Sequence, residues 1–160
     1  MAKFVVQKHA ARSLHYDFRL EVAGAYASWA VPKGPSTDPR EKRLAMRVED
    51  HLLSWGDFEG VIPDGQYGAG AVIVWDAGEY RNLSDEPIED ALEEGHASFW
   101  LEGQKLLGGW SLRRIGGGRK ESWLLVKKRD ERADARRNPV STQPESVLSG
   151  RTIDEVGART

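Results

Sequence analysis

Short runs in which apolar and polar residues alternate, broken by Gly, Pro and Asp, dominate the chain up to about residue 128. A period of two places successive side chains on opposite faces of an extended backbone, so each run reads as a strand with one face toward a core. The runs predict strands over residues 4–9, 14–21, 25–31, 43–51, 71–76, 97–102, 110–115 and 122–127. Asp76-Ala77-Gly78 and the stretch 116–120 have turn composition and predict hairpin turns. Gly65, Gly68 and Gly70 mark a loop that needs tight backbone geometry. Helical periodicity is sparse. Its best instance is 87–94, with Ser84 or Asp85 near the start, acids in the first turn and Gly95 at the end. Many short strands with one or two short helices predict an all-β fold, a compact β-barrel. Trp29, Trp75, Trp100, Trp110 and Trp123 fall in strand runs and read as core, whereas His96 reads as a cap or surface residue.

The 160 residues fit one domain around one core. Apolar content collapses from about Asp130, so residues 1–130 are expected to form the barrel domain and 131–160 a charged, partly flexible tail. No run approaches the roughly 18 apolar residues of a membrane helix. The N-terminus reads straight into a strand and lacks the pattern of a signal peptide. The absence of cysteine excludes disulfides, thiolate chemistry and Cys-type zinc sites. A cytoplasmic, nucleoid-associated protein with no membrane partner is the expectation. The net charge of −2 conceals a segregation: residues 61–102 hold ten acids and one base, and residues 103–140 hold eleven bases and four acids. Unless the two blocks face each other, the basic one suits a phosphate-bearing partner or forms an ordinary solvated surface.

The densest chemical signal is Gln7-Lys8-His9 followed by His15-Tyr16-Asp17-Phe18-Arg19-Leu20-Glu21. On a strand, His15, Asp17, Arg19 and Glu21 share one face, with rungs about 7 Å apart, and Tyr16, Phe18 and Leu20 share the other and fill a core. A short turn can bring His9 opposite. Two imidazoles and a carboxylate suffice to hold a divalent metal with open positions, and Arg19, one rung on, offers a fork of donors to phosphate oxygens. Val48-Glu49-Asp50-His51 repeats the logic, because an imidazole there can orient a phosphate or protonate a leaving oxygen. Basic residues recur at Lys33, in the rigid Pro32-Lys33-Gly34-Pro35 loop, at Arg40, Lys42, Arg43 and Arg47, and around the Gly-rich tip that carries Arg119 and Lys120. Such patches suit a nucleic acid backbone. Without Cys, and without Ser in a nucleophile-elbow setting, attack by water is favoured over a covalent enzyme intermediate.

These motifs taken in order resemble the 3′-phosphoesterase domain of bacterial DNA ligase D. The resemblance rests on Phe4–His9, Leu14–Glu21, Ser28-Trp29-Ala30-Val31-Pro32-Lys33-Gly34-Pro35, Val48–His51, Phe58-Glu59-Gly60-Val61-Ile62-Pro63, Tyr67-Gly68-Ala69-Gly70 and Trp123-Leu124-Leu125-Val126-Lys127, and it covers residues 4 to about 130. It implies a β-barrel enzyme that heals 3′ ends during end joining, removing a terminal 3′ ribonucleoside and then the remaining 3′-phosphate. It also implies manganese as the usual metal, with zinc or cobalt as alternatives. The implied partners are 3′ ends at primer-template junctions or duplex breaks, with ligase, polymerase and end-binding repair proteins. Carried over by motif, His9, His15 and Asp17 are metal ligands, and Arg19 and His51 contact the scissile phosphate. Lys33, Arg43 and Glu49 match positions around the site, and Gln7 partners a ligand. Two departures stand out. Trp55 occupies the position, four beyond His51, where the family usually has a Tyr, and the first motif begins at Phe4, without the N-terminal arm of longer members. Two rival readings use the same residues. One takes His15, Asp17 and His51 as the facial triad of a non-haem iron oxygenase. The other is a catalytically weak module that binds DNA ends.

Overall fold

The computed structural model describes residues 2–158, and the predicted strands appear in it as members of one antiparallel sheet. They are β1 (Ala2–Ala10), β2 (Leu14–Val22), β3 (Ala25–Val31), β4 (Arg43–His51), β5 (Gly60–Ile62), β6 (Gly70–Asn82), β7 (His96–Glu102), β8 (Leu107–Gly116) and β9 (Ser122–Lys127). The order is β1-β2-β3-β4-β9-β8-β7-β6-β5, and β1 pairs with β6 as well as β2. Eight strands therefore close into a barrel with no free edge, while β5 pairs only with the first residues of β6. Inward positions carry Phe18, Trp29, Phe99, Trp110 and Trp123, all fully buried. Trp29 and Trp123 meet edge-on at 5.6 Å, and Phe18 stacks on Phe99 at 5.8 Å. Trp100 departs from the expected core role. It is half-buried on the outer side of β7, where its indole N–H donates to Glu102 and Arg81 lies over its ring.

One end of the barrel is plugged by α1 (Ile88–Glu94), whose Ala91 and Leu92 enter the core. Its first turn carries Glu89 and Asp90, as the dipole favours, and Gly95 ends it at φ 93°. Pro87 stands at its N-cap, with Ser84 and Asp85 just before it. The acidic and basic blocks meet at this end. Arg47 and Arg114 line a cavity of about 350 Å³ together with Asp50, Glu89, Glu93 and Glu121.

The turn expected at Asp76-Ala77-Gly78 lies instead inside β6. Register along β1 jumps from Val6↔Asp76 to Gln7↔Val74, so Trp75 is the extra residue of a β-bulge. A bulge lets neighbouring side chains point the same way. Trp75 and Asp76 are both fully buried, and the Asp76 carboxylate accepts the backbone N–H groups of Gln104, Lys105 and Leu106 in the β7–β8 turn. Gly78 is required by close approach, because a Cβ there would lie 2.0 Å from the Glu102 carbonyl oxygen. Turn-type residues thus serve a strand that touches a turn.

Beyond β9 the chain runs back onto the barrel, and its Val140 packs against the main core. Thr37 Oγ1 donates to the carbonyls of Asp134 and Arg137, Trp75 Nε1 donates to Gln143 O at 2.8 Å, and Val147 N donates to Val74 O at 2.9 Å. Lys105, buried and lowered by that burial to about 8, donates to the carbonyls of Gln143 and Glu145. Two short helices interrupt the segment, α2 (Pro139–Thr142) and α3 (Ile153–Gly157). A capping box formed by Thr152 and Glu155 starts α3, and its Ile153 and Val156 pack on Ala71 and Ile73. Among the described residues no helix is long and apolar enough to cross a membrane.

This packing predicts that Ile153→Ala lowers unfolding stability by about 2 kcal/mol, the low end for truncating a buried aliphatic chain. Chemical denaturation measures it, and a neutral result would assign the segment to a solvated tail.

Candidate active site

The polar face read from β2 is the outer wall of the barrel, and its middle, Asp17 and Arg19, is itself buried. Gln7, Asp17, Arg19 and Ser28 are each at most 7% exposed. The cover is the segment after β4. It comprises a 3₁₀ turn (Leu53–Asp57), the Phe58 ring stacked on Trp55 at 4.4 Å, and β5 beside β6. Its anchor is Glu59, whose carboxylate accepts the N–H of Val74 and the hydroxyl of Ser146.

Register brings the first donors together. Gln7 lies opposite Asp17 and His9 opposite His15 across the β1–β2 pair. His15 Nε2 is 3.3 Å, and His9 Nδ1 3.7 Å, from Asp17 Oδ2, and one ligand atom from each of the three lies within 4.8 Å of the others. The far nitrogen of each ring meets a backbone carbonyl, His9 Nε2 at 2.7 Å from Gly68 O and His15 Nδ1 at 2.9 Å from Ser13 O. A carbonyl only accepts, so those nitrogens carry the ring protons. Two imidazole lone pairs then converge on a carboxylate, an arrangement that repels itself unless a proton or a cation sits between. A divalent cation fits this donor set, and the carbonyl contacts are the outer partners that fix ligand tautomers. Without a cation a proton takes the role. The hydrogen bond to Asp17 raises the pKa of His15 above its ordinary value. Burial opposes the charge on Asp17, but the contacts with His15 and His9 and the nearby Arg19 outweigh it and hold the carboxyl well below its usual range.

Arg19 is locked beside this cluster. Its Nε donates to Gln7 Oε1 at 2.7 Å, and its Nη1 donates to Ser28 Oγ at 2.8 Å and to His51 Nδ1 at 3.0 Å. Nη2 lies 3.5 Å from Asp17 Oδ2 and is the end of the fork left for an incoming oxygen. Arginine can only donate, so this contact favours the tautomer in which His51 Nδ1 accepts and Nε2 carries the ring proton. Burial, then the charge of Arg19, lower the pKa of His51 and so disfavour the charged ring. The Glu49 carbonyl, also 3.0 Å from Nδ1, favours the opposite tautomer, so two contacts compete for this nitrogen.

The remaining predicted residues are placed unevenly. Gln7 is buried within the wall and donates through Nε2 to the carbonyls of Trp55 and Phe58. Trp55 lies beside the site, its ring 6.2 Å from that of His51. Lys33 and Glu49 are exposed. Arg43 shares the core-facing side of β4 with Ala45, away from Asp17, and pairs with Glu41 at 3.6 Å. Arg119 and Lys120 are exposed at the β8–β9 tip, which Glu121 fastens to Arg47 of β4 through a backbone bond of 2.9 Å. The donor set that includes His15 and Asp17 takes His9 as its third member, not the His51 of the facial-triad reading. Sequence reasoning missed Ser28 as a site residue, although it lies opposite Arg19 on β3, and it missed the carbonyls of Ser13 and Gly68.

Gln7→Leu keeps the volume but strands the Arg19 Nε donor and two loop carbonyls. It is predicted to cost about 1–3 kcal/mol of stability, the range for unsatisfied buried polar groups, in denaturant titrations.

The family model described as the DNA Ligase D 3'-phosphoesterase domain matches residues 7–114, a stretch that includes the whole cluster from Gln7 to His51. The chain is 53% identical over 156 residues to the multifunctional non-homologous end joining protein LigD of Pseudomonas aeruginosa, a match covering 96% of this chain and 18% of that protein. It is 42% identical over 129 residues to the multifunctional non-homologous end joining DNA repair protein LigD of Mycobacterium tuberculosis. It is 39% identical over 134 residues to the LigD of Mycolicibacterium smegmatis, and both mycobacterial matches cover 81% of this chain and 17% of the relative. The chain thus spans less than a fifth of the length of these relatives. With a family model running through most of its strands and every residue of its polar cluster, the protein belongs to the DNA ligase D 3′-phosphoesterase domain family.

Proposed function

We propose that the chain is a divalent-cation-dependent hydrolase that heals the 3′ ends of broken nucleic acid strands in double-strand break repair by end joining. It removes a 3′-terminal ribonucleoside to leave a 3′-phosphate, then removes that phosphate to leave a 3′-OH. The observation that carries the reading is the convergence of His9, His15 and Asp17 beside a buried Arg19 and the half-buried His51 that it contacts, with donors to spare. Family membership supplies the reaction class.

His9, His15 and Asp17 would hold the cation, manganese by preference, with zinc or cobalt as alternatives that imidazole and carboxylate donors also accept. Such an ion supplies Lewis acidity toward a phosphoryl oxygen. The chain's own contribution is fixed donors. Arg19 Nη2 and the Nε2–H of His51 are held in place to meet negative charge on the phosphate oxygens. A neutral His51 is better suited to hydrogen-bond such an oxygen than to act as a strong acid. Gln7 and Ser28 orient Arg19, and Trp55 places an indole beside His51 where a tyrosine hydroxyl is usual. Lys33, Glu49, Arg119 and Lys120 form the wider substrate surface, while Arg43 supports it from the core side of β4.

The substrate is a nucleic acid end at a primer-template junction or duplex break. Ligase, polymerase and end-binding repair proteins are the natural partners, and the cytoplasm, at the nucleoid, is the place of action. Trp55 favours one second reading, an end-binding module with weak turnover.

Phosphate release from a 3′-phosphate oligonucleotide, with and without Mn²⁺, tests the function. Release is expected only with the cation, and an inactive protein that still binds ends would favour the second reading. His9→Ala, His15→Ala and Asp17→Ala are each predicted to abolish calorimetric Mn²⁺ binding and turnover while circular dichroism stays unchanged. Any one of them with normal binding loses its assignment as a ligand. His51→Ala is expected to keep the metal and lose roughly 10²–10³-fold in turnover, the magnitude for one transition-state donor. A further prediction concerns the hairpin tip. Neutralising Arg119 and Lys120 is expected to lower the salt slope of duplex-end binding by about 0.9 for each phosphate that the tip no longer neutralises. Superimposable binding curves across salt would place the tip outside the interface.

A further inference from the structure

The loop before β6 carries a side chain with no role in the catalytic cluster. Tyr67 is 96% exposed, the most exposed of the large apolar and aromatic side chains among the described residues. Its loop is nevertheless well fastened. Gln66 N donates to Pro63 O and Ala69 N to Gln66 O, and Gly65, Gly68 and Gly70 all have positive φ. A Cβ at Gly70 would lie 2.0 Å from the Ala10 carbonyl oxygen, so the base of the loop lies flat on β1. The carbonyl of the very next residue, Gly68, accepts the His9 Nε2 proton. Bond lengths then place the Tyr67 Cα within roughly 6 Å of that oxygen.

The charge of the loop narrows what Tyr67 meets. Residues 63–70 contain one acid, Asp64, and no base, so they suit the sugar-phosphate backbone poorly. A phenol ring held in water suits the neutral face of a nucleobase, which stacks on aromatic side chains with little regard to sequence. We propose that Tyr67 is the stacking platform for the base of the 3′-terminal nucleotide, whose phosphate lies at the His9, His15 and Asp17 cluster. The proposal rests on the function proposed above and adds to it a subsite for the base. Ends that keep their terminal base are then preferred over abasic ones.

The test is equilibrium binding to the full chain with Mn²⁺, followed by anisotropy, of oligonucleotides that end in a non-hydrolysable 3′-phosphonate and either carry a terminal base or are abasic there. Tyr67→Ala is expected to weaken binding of the base-bearing end about tenfold, within the range for losing one stacked base, and Tyr67→Phe to retain it. On the abasic end, the unsubstituted protein and Tyr67→Ala are expected to bind alike. Equal binding of the base-bearing end by the two proteins overturns the proposal. A loss of the same size on both ends also overturns it, because Tyr67 then acts by holding the loop and His9. Phosphate release is read separately: no release, with base-dependent binding through Tyr67 intact, overturns the hydrolytic function and leaves the platform standing.

Discussion

A buried pair of opposite charges, Asp17 and Arg19, sets the terms for everything around it. Each is taken from water on the outer wall of a barrel, where the cost of an unpaired charge is several kcal/mol. The 3.5 Å contact between them offsets part of that cost, and the rest falls to neighbours. Gln7, Ser28 and His51 accept the Arg19 donors, and His9 and His15 face the Asp17 carboxylate. Both ends of the pair are thereby connected to groups that can serve a substrate. The cluster that would bind a cation and the cluster that would bind a phosphate share one ion pair, so a change in either reaches the other.

Burial of that wall requires the sheet to be covered on both faces. Inside, the aromatic residues fill the barrel. Outside, Val5, Tyr26 and Val74 form a second, smaller apolar cluster beneath the loop and the C-terminal segment, with Val147 packed against it. The alternation of apolar and polar residues on β2 therefore separates an apolar interior from a polar interior, not from solvent. The bulge at Trp75 serves both layers. It turns an indole inward against Tyr16, 5.5 Å away and edge-on, and lets Asp76 tie down the β7–β8 turn.

Electrostatic segregation along the chain acquires a different meaning in three dimensions. Part of the acidic block meets part of the basic block at the α1 end, where Arg114 donates to the Glu93 carbonyl and lines one cavity with Glu89 and Glu93. The bases left unopposed include Arg119 and Lys120 on the exposed tip. Charge along the sequence overstated the basic surface, because it cannot register which side chains the fold returns to one another.

The sequence by itself determined what local geometry determines. The two-residue period assigned the bounds of β3, β4 and β9, most of β1, β2 and β7 and only part of β6 and β8, and it set His15, Asp17 and Arg19 on one face with Tyr16, Phe18 and Leu20 on the other. Side-chain direction in a strand depends only on the residue's own backbone, so one chain position suffices to read it. Tertiary structure decided the rest. Closure of β1 on β6 pairs residues more than sixty positions apart, and the Trp75 bulge exists only in that pairing, which is why turn-like Asp76-Ala77-Gly78 continues a strand. Only folding hid the polar wall beneath the 52–62 loop and joined Gln7 to Arg19. The proton positions on His9 and His15 follow from the carbonyls of Gly68 and Ser13, and every residue type presents the same carbonyl, so no letter of the sequence marks it.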